Sequence, residues 1–169
     1  MWNYTDIPLA YLISFRSYGT WLHGDQRGSI DRLHNRYRDP YLRPNDTWQR
    51  HNHKQLKTNP YILRTRERGS VKKAIRETCS IRRWHLHALN VRTNHVHAVV
   101  TANRKPELVL NAFKGNATRQ LRADKLWLHP FSPWADKGSN VRLWTERSVA
   151  NAINYVTNGQ GNDLPKCDN

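Results

Sequence analysis

The 169-residue sequence predicts an α+β fold: an antiparallel sheet in βαββαβ order with an extra helix at its C-terminal end. Three observations carry that prediction. Two β-rich runs flank the short polar stretch Arg92-Thr93-Asn94 and read as a hairpin. Segments with apolar residues at helical spacing stand on both sides of that hairpin. A third such segment closes the chain after a further short strand.

In order, Leu9 to Tyr18 (LAYLISFRSY) is rich in β-branched and aromatic residues and reads as the first strand, ended by Gly19. Residues 19–66 lack clean periodicity and hold Gly24, Gly28, Pro40, Pro44 and Pro60, so they read as a long loop region with a short helix near Thr47–Leu56. A loop of this length in a small domain is functional or flexible. Ser70 is the expected N-cap of a helix whose buried face is Val71, Ala74, Ile75 and Thr78. Trp84 to Val91 and His95 to Thr101 form the hairpin. Pro106 stands where a helix would start, with Leu110, Phe113, Ala117 and Leu121 as its buried stripe. Residues 123–140 form a Pro/Trp-rich connection, and Val141 to Trp144 reads as a short strand. Ser148 is the expected cap of a last helix that buries Val149, Ala152, Ile153 and Val156 and ends near Gly159. The polar tail from Gly161 is expected to be disordered. Without the last helix the order is that of a ferredoxin-like fold. There is no internal repeat, and residues 1–169 read as one domain.

Lys plus Arg number 28 and Asp plus Glu 13, a formal net charge of +15. Such a field concentrates polyanions, and nucleic acid is the commonest. No long apolar run or isolated basic amphipathic helix points to a membrane partner, and the N-terminus has no signal-peptide pattern. Two cysteines make no disulfide framework, so a reducing cytoplasm is the expectation. Seven Trp and seven Tyr beside so many cations suit stacking on unpaired bases, although each alone reads as a core anchor.

Three His-x-His pairs stand in the chain. His51-Asn52-His53 lies in a polar stretch with nothing to fix a metal geometry. His85-Leu86-His87 and His95-Val96-His97 lie in strands, where residues i and i+2 share a face and two imidazoles can converge on one ion. Pairing Val91 with His95 across the turn would put all four strand histidines on one face, so periodicity does not choose between the pairs. Two histidines are too few for a catalytic metal; a third ligand is needed. On the last helix, Gln160 continues the sheet-facing stripe and Tyr155 lies on its flank, within reach of a phosphate on the sheet; Asn151, Asn154 and Asn158 are polar alternatives.

Asn94 through Val100 (NHVHAVV) resembles the His-hydrophobe-His motif of single-tyrosine HUH transposases. Ser14 through Asp25 (SFRSYGTWLHGD) is similar to the first strand and following loop of one branch. Lys114 through Arg119 (KGNATR) looks like the family's basic helix, and Asn154 through Gly161 (NYVTNGQG) its nucleophile helix. The matches run in the family's order over about residues 9–161. The length of segment 24–66 resembles the REP-associated tyrosine transposase branch more than a minimal insertion-sequence enzyme.

The resemblance implies a prokaryotic, DNA-associated homodimer acting on single-stranded DNA beside an imperfect hairpin. It implies His95 and His97 as ligands of Mg²⁺ or Mn²⁺, Tyr155 as nucleophile, and a polar side chain after the tyrosine as third ligand. One helical turn beyond Tyr155 stands Gly159, which has no side chain, so Gln160 is the expected ligand and Asn158 the second choice. Attack by the tyrosine would give a 5′-phosphotyrosine and a free 3′-OH, chemistry suited to strand transfer. Expected phosphate contacts are Arg16, Lys72, Lys73, Arg76, Arg82, Arg83, Lys114, Arg119 and Arg122. The alternatives are a non-catalytic DNA-hairpin binder, which would not need Tyr155, and an RNA-binding ferredoxin-like module, in which the histidines would be core.

Overall fold

The fold was analysed in a computed structural model that describes residues 7–20 and 45–161. Eight elements follow one another: β1 (Ala10–Arg16), α1 (Asp46–Lys54), α2 (Thr65–Arg82), β2 (His85–Val91), β3 (His95–Thr101), α3 (Pro106–Ala123), β4 (Ser139–Leu143) and α4 (Glu146–Asn158). The strands form one antiparallel sheet in the order β2-β3-β1-β4. This is the ferredoxin-like arrangement, completed by the extra C-terminal helix.

Alternation along the strands sorts the side chains into two cores. Tyr11, Ile13 and Phe15 of β1 lie with Val96, Ala98 and Val100 of β3 on one face. There they meet Val71, Ala74 and Ile75 of α2 and the α3 stripe Val109, Phe113, Ala117 and Leu121. On the other face Ala10, Val99 and Leu143 meet Ala152 and Val156 of α4, with Val149 and Ile153 packed beside them. The helical spacing of the two stripes is therefore what places α2 and α3 on one side of the sheet and α4 on the other.

Several local expectations shift. The helix expected from Ser70 begins at Thr65, and its N-cap residue is Arg64, which makes no side-chain cap bond. Ser70 instead donates from its hydroxyl to Asp124 Oδ2 at 2.5 Å, tying α2 to the end of α3. On α4 the cap is Thr145, with Ser148 completing a reciprocal capping box from the third helical position. The helix expected near Thr47–Leu56 is α1, so the stretch holding His51 and His53 is helical. The tail after Gly161 and segment 21–44 lie outside the described residues.

The hairpin register also differs by one. Val91 pairs with Val96 and Asn90 with His97, because Arg92 pairs back to His95 (N to O, 2.8 Å) and leaves Thr93-Asn94 as a two-residue loop. A bulge between Leu86 and Ala88 then restores the phase, since Leu86 packs with the α2/α3 core and Ala88 with the α4 core. His85 and His87 thus lie on the α4 side together with His95 and His97, by a different register from the one expected.

The α3–β4 connection is anchored by buried Trp127 and Trp134. Trp134 Nε1 donates to Lys114 O and Thr118 Oγ1, both at 3.1 Å, and its ring meets Phe15 edge-on at 4.9 Å. Gly138 then enters β4 against the carbonyl of Ser14: a Cβ there would stand 2.7 Å from that oxygen and 3.0 Å from Leu110. Gly138→Ala is therefore expected to cost about 1–3 kcal/mol, read as a lower urea midpoint at unchanged m-value.

Candidate active site

His95 and His97 alternate along β3 on the α4 face, with ring centroids 4.8 Å apart. Each ring is held through Nδ1. Asn94 Oδ1 lies 2.6 Å from Nδ1 of His95, and Ser14 Oγ lies 2.5 Å from Nδ1 of His97. Ser14 is the β1 residue paired with His97 across the sheet. Fixing Nδ1 leaves Nε2 of each ring facing the space under α4, as metal-binding histidines are oriented.

Helix α4 brings the tyrosine. Its apolar stripe faces the sheet, and Tyr155, on the flank, is 46% exposed with its ring 5.4 Å from that of His97. Asn90, paired with His97 in the sheet, donates from Nδ2 to Val156 O at 2.9 Å, so the last turn of α4 is fastened to the strand beneath it. Beyond the helix the chain turns at Gly159, where a Cβ would stand 2.8 Å from Tyr155 O. That close turn brings Gln160 back over the site: Oε1 lies 3.1 Å from His95 Nε2, and Nε2 donates to Tyr155 O at 3.3 Å. Asn158 points elsewhere, donating to Asn154 Oδ1 at 2.7 Å.

The donor set, two imidazoles and one amide oxygen, suits Mn²⁺ and admits Mg²⁺ or Zn²⁺. An amide oxygen accepts, so Asn94 Oδ1 takes an N–H from His95 Nδ1. In the tautomer that carries its proton on Nδ1, Nε2 presents its lone pair toward the Gln160 amide. His95, His97 and Gln160 are the side chains here that would hold a divalent cation, which would neutralise charge on a bound phosphate. Among the described residues no group of three or more His, Cys, Asp or Glu could hold a metal; the side chain that meets His95 Nε2 is the Gln160 amide.

Burial, reinforced by His95, lowers the pKa of His97 from 6.5 to about 3. His97 is thus neutral, lone pair available, across the ordinary pH range. The unfolded chain takes up a proton at this position near 6.5, and the folded one does not until about 3. The stability tied to His97 is therefore present above about 6.5 and lost as pH falls from there toward about 3. We expect the urea midpoint of the metal-free protein to drop between pH 7 and pH 5, and His97→Asn to flatten that drop.

The other predicted residues divide. Lys72, Lys73, Arg76 and Arg82 lie on α2, Arg83 follows it in the left-handed region at φ 55°, and Lys114, Arg119 and Arg122 lie on α3. These are the helices on the sheet face opposite His95 and Tyr155. Arg16 differs, standing on β1 opposite His95. Lys114 donates from Nζ to Ala135 O at 2.8 Å and also to Lys137 O, and burial lowers its pKa. Its ammonium is committed to the α3–β4 connection. Arg119 bonds Asn116 Oδ1, and Arg82 lies 5.3 Å from the Trp84 ring. His51 and His53 sit on α1, where residues two apart do not share a face. His85 and His87 pack ring to ring at 4.4 Å, and His87 Nε2 lies 2.8 Å from Thr101 Oγ1 at the far end of β3. Sequence reasoning missed Ser14 and Asn90, whose roles depend on pairings across the sheet.

A ferredoxin-like sheet with a His-x-His strand beneath a tyrosine-bearing last helix is the class of a transposase domain. The chain belongs to the IS200-like transposase family, whose model matches residues 48–157. The match spans the hairpin and Tyr155 and stops short of Gln160. The fold is similar to the crystal structure of a candidate transposase from Deinococcus radiodurans R1, with TM-score 0.51 and 15% identity over 94% of this chain and 95% of that one. A REP-associated tyrosine transposase bound to a REP hairpin aligns at TM-score 0.49 and 12% identity, over 92% of this chain and 70% of that one. No curated protein sequence matches the chain. Among the described residues no helix is long and apolar enough to cross a membrane.

Proposed function

We propose that residues 1–169 form one transposase domain that nicks and rejoins single-stranded DNA through Tyr155, with His95, His97 and Gln160 holding Mg²⁺ or Mn²⁺. The observation that carries this reading is the convergence of strand β3 and the end of α4: the Tyr155 ring against His97, and the Gln160 amide on His95 Nε2. In the reaction Tyr155 Oη bonds to phosphorus and loses its proton, the bond from phosphorus to the 3′ oxygen breaks, and that oxygen takes up a proton. The products are a 5′-phosphotyrosine and a 3′-OH, and a second 3′-OH reverses the step. A bound divalent cation supplies charge neutralisation at the scissile phosphate. Asn94 and Ser14 fix the imidazoles, Asn90 fixes the helix, and Gln160 bridges helix and strand.

The basic residues of α2 and α3, with the formal charge of +15, support binding of the duplex part of a DNA hairpin on the face opposite Tyr155. Arg16, beside His95, suits the strand to be cut. A cytoplasmic, DNA-associated homodimer completes the proposal; light scattering should return the mass of two 19.9 kDa chains.

The test is an incubation of the protein with labelled single-stranded hairpin oligonucleotides and Mn²⁺. A covalent protein–DNA band that disappears with chelator is expected. Binding without any covalent band, indifferent to chelator, would favour a non-catalytic hairpin-binding protein.

A further inference from the structure

At the end of the sheet that carries His95, a cluster of aromatic rings is not used by the chemistry above. Ser17 N bonds Asn94 O at 2.9 Å, and the next residue, Tyr18, bonds Pro133 O through its N–H at 2.7 Å. Just past the end of β1, adjacent residues therefore tie Asn94, which orients His95, and the 127–133 loop to the same stretch of chain. In it, the exposed His129 ring stacks on Phe131 at 5.2 Å and 22°, with buried Trp127 behind both at 4.7 and 5.4 Å. Tyr18 supports Phe131 from below at 5.1 Å. The exposed Lys57 ammonium lies 5.5 Å from the Phe131 centroid. Arg122 donates through one guanidinium nitrogen to the carbonyls of His129, Pro130 and Phe131, which stiffens the loop.

A histidine held parallel to a phenylalanine, open to solvent and bracketed by two cations, costs apolar exposure and contributes little to the core. Its chemistry matches an unpaired nucleobase: a flat π-face for the ring and cations for the flanking phosphates. Its place matches too, since it follows the end of basic helix α3 and joins the sheet beside Asn94, the partner of His95. We propose that His129 and Phe131, flanked by Lys57 and Arg122, are a stacking platform for an unpaired base of single-stranded DNA. The proposal rests on the single-stranded DNA reading above, but its test needs no cleavage.

Fluorescence anisotropy in EDTA would compare labelled oligothymidylate (dT20) with an abasic sugar-phosphate oligomer of the same length. His129→Ala is expected to weaken dT20 binding about tenfold, with the abasic oligomer and the salt slope unchanged. His129→Trp should bind dT20 at least as well as the native protein. Lys57→Gln should weaken both ligands and lower the salt slope. Equal losses for both ligands with His129→Ala, no loss at all, or no binding of dT20 by the native protein would each overturn the platform. A covalent Tyr155 adduct formed normally by His129→Ala protein with unaltered dT20 affinity would overturn the platform and leave the nicking reading standing.

Discussion

Tyr155→Phe is expected to abolish the covalent protein–DNA adduct, a loss of at least about 10³-fold, while hairpin binding stays within about twofold because the ring's aromatic area is kept. The reason is chemical. Removing Oη removes the only atom proposed to bond to phosphorus, and the neighbouring Ser14 hydroxyl is engaged with His97 Nδ1. The ring itself is not a structural pillar: Tyr155 is 46% exposed, and the packing of α4 rests on Ala152 and Val156. Thermal unfolding should therefore be almost unmoved. A variant that loses the adduct together with its melting transition would instead give Tyr155 a packing role.

His97→Ala is expected to lower adduct formation at subsaturating Mn²⁺ by at least about 100-fold, with partial recovery at high metal. The ring's Nε2 faces the site, and its neutrality at ordinary pH follows from burial. Ser14→Ala is the graded control. It leaves the imidazole in place but removes its Nδ1 partner at 2.5 Å, so a metal affinity loss of about 10–100-fold is expected. His87→Ala, at the far end of β3 against Thr101, should leave metal dependence unchanged. A larger effect from His87 than from His97 would move the metal to the other pair.

The fold was legible where one local signal decides. Phe113, Ala117 and Leu121 mark α3 by spacing alone, and Val149, Ala152, Ile153 and Val156 orient α4. It was less legible where local signals tie. Ser70 and Ser148 both read as caps, yet one reaches Asp124 across the helix layer and the other serves from inside the helix. The hairpin register slipped because Arg92 closes a two-residue loop, and the Leu86/Ala88 bulge, which restores the histidines' face, leaves no mark in the alternation. Asn94 is readable beside His95. Ser14 is not, since it stands 83 positions from His97 and only β1–β3 pairing joins them. Charge told that cations are abundant, but not that the Lys114 ammonium is committed to backbone carbonyls or that α2 and α3 lie opposite Tyr155.

The most direct test is to trap the adduct with hairpin DNA and Mn²⁺, digest the protein, and locate the DNA-linked peptide by mass spectrometry. The account predicts a single oligonucleotide joined through its 5′-phosphate to Tyr155. A link through a different residue, or a 3′-phosphate at the junction, would contradict it.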